Sequence, residues 1–181
     1  MKKWLFSLIL VLLAGCINQS MVEKPSNNIL RLVTSEEPGT PLTINGVILD
    51  QITNKPIPGV EIYLYQADDG GNYSPADPAD ESTARLHGIV WTDHDGKFSL
   101  HTILPGEYDE TQDGNRHIHI ETIQAEGYQD KGGLILFDHN VNASVRTWAL
   151  DSGFGYIIEV KENEQGVLHG QLEIKLEPKD T

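Results

Sequence analysis

The chain has little cysteine and little positive charge, and each shortage excludes a class of protein. Cys16 is the only cysteine among 181 residues, so disulfide bonds within the chain cannot hold the fold together. Thirteen lysines and arginines stand against 27 acidic residues, and the formal net charge is −14. A chain this acidic repels nucleic acid and anionic membrane surfaces, so we expect no nucleic-acid partner.

The chain also lacks a hydrophobic run long enough to span a membrane. Its N-terminal apolar run, Trp4 to Leu13, has ten residues, whereas a spanning helix needs about 20. Lys2 and Lys3 precede this run, and the small residues Ala14 and Gly15 follow it. Positive, apolar and small residues in this order are typical of a signal peptide, here residues 1–15.

The end of this segment, Leu13-Ala14-Gly15-Cys16, resembles the lipobox of bacterial lipoproteins. The resemblance implies cleavage before Cys16 and a lipid anchor on that residue, which would hold the protein to a membrane of the cell envelope. Ile17 in the next position favours the outer membrane, with the protein facing the periplasm or the surface. The alternative is an ordinary secretory signal with a chance cysteine. Residues 16–37, with few aromatic residues, are predicted to form a flexible tether to one domain, residues 38–181.

Helical periodicity is almost absent beyond residue 40. Short runs of β-forming residues alternate with clusters of Gly, Pro, Asn and Asp, which favours an all-β fold, a β-sandwich with long loops. The predicted strands are Thr43–Leu49, Val60–Gln66, Gly88–Thr92, Lys97–Ile103, Arg116–Gln124, Leu134–Phe137, Val145–Leu150, Tyr156–Lys161 and Val167–Leu176. Because long loops on a rigid sandwich often carry function, the loops at residues 67–86 and 108–115 are candidate sites.

Two histidines on a predicted strand could bind one metal ion. Side chains alternate between the faces of a strand, so His117 and His119 share one face while Ile118 and Ile120 face the other way. The isoleucines are expected in the core, which leaves the histidine face to line a site. By itself this spacing is common on polar outer faces.

Two tyrosines in the candidate loops would complete a set of oxygen and nitrogen ligands. Tyr73 lies in the first loop, and Tyr108 opens the second. A phenolate is a hard anionic donor, so this set suits ferric iron better than a metal that prefers thiolate. Tyrosine ordinarily has a pKa near 10, and bound ferric iron would supply the cation that keeps it ionised. Each tyrosine alone is also explained as an ordinary core residue.

The order of the motifs around these residues resembles the intradiol ring-cleavage dioxygenases, the family of protocatechuate 3,4-dioxygenase and catechol 1,2-dioxygenase. The resemblance covers about residues 38–125, and Tyr65 replaces a tryptophan of the family. The motifs are Tyr65-Gln66-Ala67-Asp68, Gly71-Asn72-Tyr73, Thr102-Ile103-Leu104-Pro105-Gly106-Glu107-Tyr108 and His117-Ile118-His119.

The resemblance implies an enzyme with Fe(III) as its cofactor and an aromatic ortho-diol and O2 as its substrates. The metal ligands would be Tyr73, Tyr108, His117 and His119, and the ring would be cleaved between its hydroxyl-bearing carbons. Tyr108 would leave the iron and take a proton from the diol. The family's arginine three residues before the first histidine is Gly114 here. Arg116 is therefore the candidate for stabilising negative charge, although on a strand it would point away from His117.

Two other interpretations stay open. The strands and the Pro-Gly turn before Tyr108 also resemble carboxypeptidase-regulatory-like and adhesive β-sandwich modules, which have no catalytic activity. A relative that binds iron without turnover is the other alternative. Residues 126–181 carry no recognised motif, and His139, Trp148 and Tyr156 could belong to the core, the surface or a pocket. The sequence identifies neither the diol nor the oligomeric state.

Overall fold

A computed structural model describes residues 27–107 and 116–180 of the chain. Cys16 and the signal peptide, together with Tyr108 and Gly114, lie outside these residues. Within the described ranges, no helix is both long and apolar enough to cross a membrane.

The described residues form two five-stranded sheets, a ten-residue helix and one short 3-10 turn. The sheet orders are β1-β5-β2-β10-β9 and β4-β3-β6-β7-β8. The turn is Glu81–Thr83 and the helix, α1, is Ala143–Ser152. The strands are β1 Ile29–Arg31, β2 Pro41–Asp50, β3 Glu61–Gln66, β4 Leu86–Trp91, β5 Lys97–Ile103, β6 His117–Gln124, β7 Lys131–Phe137, β8 Gly155–Ile158, β9 Val160–Glu162 and β10 Leu168–Leu176.

The core lies between the two sheets and is built from alternate residues of their strands. Ile44 and Ile48 of β2 are fully buried on one side, and Ile62 of β3 and Ile118 of β6 on the other. The predicted alternation in β6 and the predicted all-β sandwich are therefore confirmed. Burial of apolar side chains from both sheets is what holds the layers together, because each sheet has one apolar face.

The predicted strand Val145–Leu150 is wrong, because this segment lies within α1. The Asn142 side chain accepts a hydrogen bond from the Val145 backbone N–H at 2.9 Å and caps the N-terminus. Gly153, with φ of +64°, ends the helix in the left-handed conformation. Ala149 is buried where α1 packs on β8. The caps and this tertiary contact outweigh the strand preference of valine, threonine and tryptophan.

Two further boundaries differ from the sequence predictions. Residues 29–31, predicted as part of the tether, form β1 and pair in parallel with β5. A three-residue strand is too short to stand out in a polar segment, and its partner is distant in sequence. The predicted strand Tyr156–Lys161 is two strands, since β8 belongs to the second sheet and β9 to the first. The chain crosses between the sheets at Glu159.

Candidate metal centre

The predicted ligand histidines lie on the outer face of the second sheet. In β6, Ile118 faces the core, so His117 and His119 face outward. Their antiparallel partners on β7 are Leu136 and Leu134, respectively. Pairing with β7 fixes the backbone of both histidines, and pairing with Tyr65 of β3 fixes His119 from the other side as well.

The loop between β3 and β4 brings Tyr73 onto the two histidines. The Tyr73 hydroxyl lies 3.3 Å from His117 Nε2 and 3.1 Å from His119 Nε2, and the two Nε2 atoms are 2.9 Å apart. Tyr73 and His117 are both buried, with relative exposures of 9% and 5%. The predicted convergence of these three side chains is thus present, while the fourth, Tyr108, lies outside the described residues.

Hydrogen bonds alone do not satisfy this triangle of atoms. A neutral imidazole Nε2 either donates or accepts, and the phenol has one proton to donate. Whichever tautomers the two rings adopt, at least one of the three contacts lacks a hydrogen of its own. A cation bound by all three lone pairs removes the conflict. A point about 1.8 Å from each atom exists, which fits bonds of about 2.0–2.1 Å to an ion slightly outside their plane.

The electrostatic setting keeps one histidine neutral. Burial, together with the neighbouring His117, lowers the pKa of His119 to about 3, so the ring is neutral at neutral pH and one of its two nitrogens has a free lone pair. The Tyr65 ring stacks on His119 with centroids 4.3 Å apart and planes 6° from parallel. Burial raises the pKa of Tyr65 to about 12, with nearby acidic residues contributing. Tyr65 therefore acts as a neutral aromatic surface against His119.

A tight turn positions Tyr73. The Asp68 carboxylate accepts hydrogen bonds from the backbone N–H of Gly70 at 3.0 Å and of Asn72 at 2.9 Å. The Asp68 carbonyl accepts from the N–H of Gly106 at 2.8 Å, and the Tyr73 carbonyl accepts from the N–H of Arg85 at 2.8 Å. The turn before Tyr73 is therefore bonded directly to the segment that leads to Tyr108.

Gln66 joins the strands that carry these two segments. It is fully buried at the end of β3, and its Nε2 donates to the carbonyls of Ile103 and Ala67, both at 3.1 Å. Its Oε1 accepts from the Thr102 hydroxyl at 2.9 Å. The end of β3 is thereby fixed to the end of β5, from which the loops leave.

Arg116 is paired with a carboxylate and a carbonyl oxygen. It precedes β6 directly, its Nη1 donates to the Pro105 carbonyl at 2.9 Å, and its Nε lies 3.3 Å from Glu107 Oε1. Asn140 bridges the pair, because its Nδ2 donates to Glu107 at 3.1 Å and its Oδ1 accepts from the Arg116 N–H at 3.2 Å. The role of Arg116 toward a substrate stays a prediction. Glu107 and Asn140 were not predicted as site residues, and Asn140 has no local motif that would have revealed it.

The set of donors is unusual for a metal site. In the described part of the chain, no group of three or more His, Cys, Asp or Glu side chains could hold a metal ion. The convergent set instead has two imidazoles, which bind several transition metals, and one phenol, which is a hard donor when ionised.

A family model described as Dioxygenase matches residues 19–131, which is more than half of the chain. The chain belongs to the intradiol ring-cleavage dioxygenase family. Catechol 1,2-dioxygenase of Acinetobacter baylyi is 33% identical over 75 residues, 41% of this chain and 24% of that protein. The chain thus matches about a quarter of the length of this catechol 1,2-dioxygenase.

Solved structures of intradiol dioxygenases have the same fold. The dioxygenase domain of a dioxygenase and carbohydrate-binding fusion protein from Streptomyces sp. SirexAA-E is 32% identical, with a TM-score of 0.64 over 82% of this chain and 87% of that one. Catechol 1,2-dioxygenase from Acinetobacter sp. ADP1 is 18% identical, with a TM-score of 0.62 over 84% and 58%, a likeness of fold alone.

Proposed function

We propose that this intradiol dioxygenase binds ferric iron and cleaves an aromatic ortho-diol between its hydroxyl-bearing carbons with O2. The observation that carries the proposal is the buried convergence of Tyr73, His117 and His119 on atoms 2.9–3.3 Å apart. Membership of the family supports the reaction class. Iron bound at this centre would act as a Lewis acid that draws electron density from the diol.

The residues of the chain have distinct roles in this proposal. Tyr73, His117 and His119 hold the iron, and the stacked ring of Tyr65 fixes the plane of His119. Tyr108 is proposed as the fourth ligand and as the base that takes a proton from the diol. Arg116 is proposed to stabilise negative charge that develops on the substrate. Two of its nitrogens are engaged within the chain, Nε with Glu107 and Nη1 with the Pro105 carbonyl.

Iron content and O2 uptake test the proposal. After aerobic loading we expect one iron per chain, a reddish colour from phenolate-to-iron charge transfer, and O2 uptake with catechol. Tyr73→Phe and His119→Ala should lose colour and iron. Tyr128→Phe and His101→Ala are matched controls away from the centre, since Tyr128 donates a hydrogen bond to Asp50 and His101 lies on the first sheet. Both variants should keep the colour and the iron.

The outcomes separate the alternatives. A colourless chain that takes up no iron would refute the metal centre, and a fully active His119→Ala variant would refute the assignment of ligands. Coloured protein without O2 uptake on any catechol would favour an iron-binding relative without turnover. The pairing of Arg116 with Glu107 is the observation that favours this second candidate.

We also propose that the mature protein is anchored to the cell envelope, at the outer membrane, by lipid on Cys16. The support is the sequence Leu13-Ala14-Gly15-Cys16, which resembles a lipobox. The intact protein should fractionate with membranes and carry acyl mass on its N-terminal peptide. Cys16→Ser should abolish both properties, and a variant that stays membrane-bound would contradict the anchor.

A further inference from the structure

An apolar surface continues from the metal centre along β7. Directly opposite residues of antiparallel strands lie on the same face, with Cβ atoms about 5 Å apart. Leu134, the partner of His119, therefore borders the centre. Two residues earlier on the same face stands Gly132, and the ring of Phe154 lies within contact distance of it. The Phe154 Cε2 atom lies 3.7 Å from the position of a Cβ at residue 132.

The helix adds a second aromatic ring to this surface. The rings of Trp148 and Phe154 make an edge-to-face contact with centroids 6.0 Å apart. The carbonyl of Phe154 accepts a hydrogen bond from the Leu134 N–H at 2.9 Å, which fixes Phe154 beside the strand. We call Leu134, Phe154 and Trp148 the apolar strip. Both aromatic rings are more than two-fifths exposed, 43% for Phe154 and 46% for Trp148, so the strip is open to a ligand.

Charge around the centre disfavours a carboxylated substrate. Each arginine on the described segments that surround it is already paired with an acid: Arg85 with Glu37 at 2.6 Å, Arg116 with Glu107 at 3.3 Å and Arg146 with Asp138 at 2.8 Å. The negative charges of three acidic side chains also influence the Tyr65 ring, which stacks on His119; these are Glu121, Glu81 and Asp80. A substituent carboxylate would be repelled by these acids, and each nearby arginine is already partly neutralised by an acidic partner.

We infer that the preferred ortho-diol carries an uncharged aromatic or bulky apolar substituent, which lies on the apolar strip. This inference rests on the proposed function, because it takes the diol to bind at the metal centre. Leu134 is adjacent to His119. Phe154 immediately precedes β8, which pairs with β7 at one further strand spacing of about 4.8 Å. The strip thus lies within the reach of a second ring attached to the diol. Burying exposed aromatic surface would supply the binding free energy.

Equilibrium dialysis under anaerobic conditions tests the inference without turnover. The ligands are 4-phenylcatechol, catechol and protocatechuate, with iron-loaded and iron-free protein measured separately. We expect 4-phenylcatechol to bind at least about 10-fold more tightly than protocatechuate. In Trp148→Ala and Phe154→Ala, the preference for 4-phenylcatechol over catechol should fall about 3- to 10-fold. Leu150→Ala is the matched control, because Leu150 is an exposed apolar residue of the same helix outside the strip; it should keep the preference.

The results distinguish this inference from the proposed function. Protein that binds no iron or consumes no O2 refutes the proposed function. The ratio of the affinities for 4-phenylcatechol, catechol and protocatechuate still tests which substituent is preferred. Protocatechuate bound as tightly as 4-phenylcatechol, no binding of any of the three ligands, or an unchanged preference in both aromatic variants would overturn the inference.

Discussion

Gly106 is the position where one added methyl group should damage the proposed metal centre most directly. A Cβ at residue 106 would overlap the backbone of Asp69 and Gly71, with only 2.8 Å to the carbonyl carbon of Asp69. Backbone atoms cannot rotate away, so the two segments must separate by about 1 Å to restore van der Waals distances. Functional side chains must be held to within about 0.5 Å. Gly106→Ala should therefore displace the turn that positions Tyr73 and lower the affinity for iron.

The same substitution should also cost folding stability. Overpacking of this kind typically costs about 1–3 kcal/mol, and the hydrogen bond from the Gly106 N–H to Asp68 is strained with it. The assay is denaturant unfolding together with iron stoichiometry and the visible absorption band. Gly70→Ala is the control in the same turn, because its Cβ would meet side-chain atoms only: the movable amide of Asn72 at 3.0 Å and the Asp68 carboxylate at an ordinary contact distance of 3.4 Å. Gly106→Ala protein that matches Gly70→Ala in both stability and iron content would refute this reasoning.

Three further predictions concern other contacts of the fold and the site. Gln66→Leu should lower the free energy of unfolding by about 1–3 kcal/mol in denaturant titrations, because buried hydrogen-bonding groups lose their partner; an unchanged midpoint would contradict this. Asp50 has its pKa lowered, first by the backbone N–H of Thr53, so it stabilises the fold above its ordinary pKa and loses this effect as pH falls through the lowered value. The difference in free energy of unfolding between the unsubstituted protein and Asp50→Asn should accordingly shrink as pH is lowered below about 4. A difference that stays constant with pH would contradict this role of Asp50. Tyr65→Leu should weaken iron binding about 2- to 10-fold through the loss of stacking on His119, whereas Tyr65→Phe should not, and equal iron affinity in all three proteins would exclude that role.

Features that depend on neighbouring residues were predictable from the sequence. The alternation in β6 assigns Ile118 to the core and His117 to the other face, and the structure agrees because apolar burial enforces that register. The convergence of Tyr73 with the histidines required the resemblance to a family, since the two segments are 44 residues apart. No local pattern reports a contact of that range.

Features that depend on distant partners were not predictable. Trp148 lies in a segment with strand-forming residues, and its helix is defined by the cap at Asn142 and by packing on β8. Asn140 enters the network of Arg116 and Glu107 only because the turn after β7 folds beside the start of β6. In both cases the decisive contact is tertiary. The local propensities favoured a strand around Trp148, and they gave no signal for Asn140.

The proposed metal centre has two halves that are held by different forces. His117 and His119 stand on a strand paired on both sides, whose other face is buried in the core, so their positions depend on the stability of the whole sandwich. Tyr73 stands on a loop, and its position depends on hydrogen bonds around Asp68, on the close approach of Gly106 and on a small buried cluster with Tyr65, Ala67 and Ala84. Because this small cluster is separate from the main core between the sheets, changes in the loop are expected to alter metal affinity while the sandwich stays folded. Sequence change in this loop can thus adjust the centre, whereas change in the core-facing residues of β6 affects the centre and the fold together.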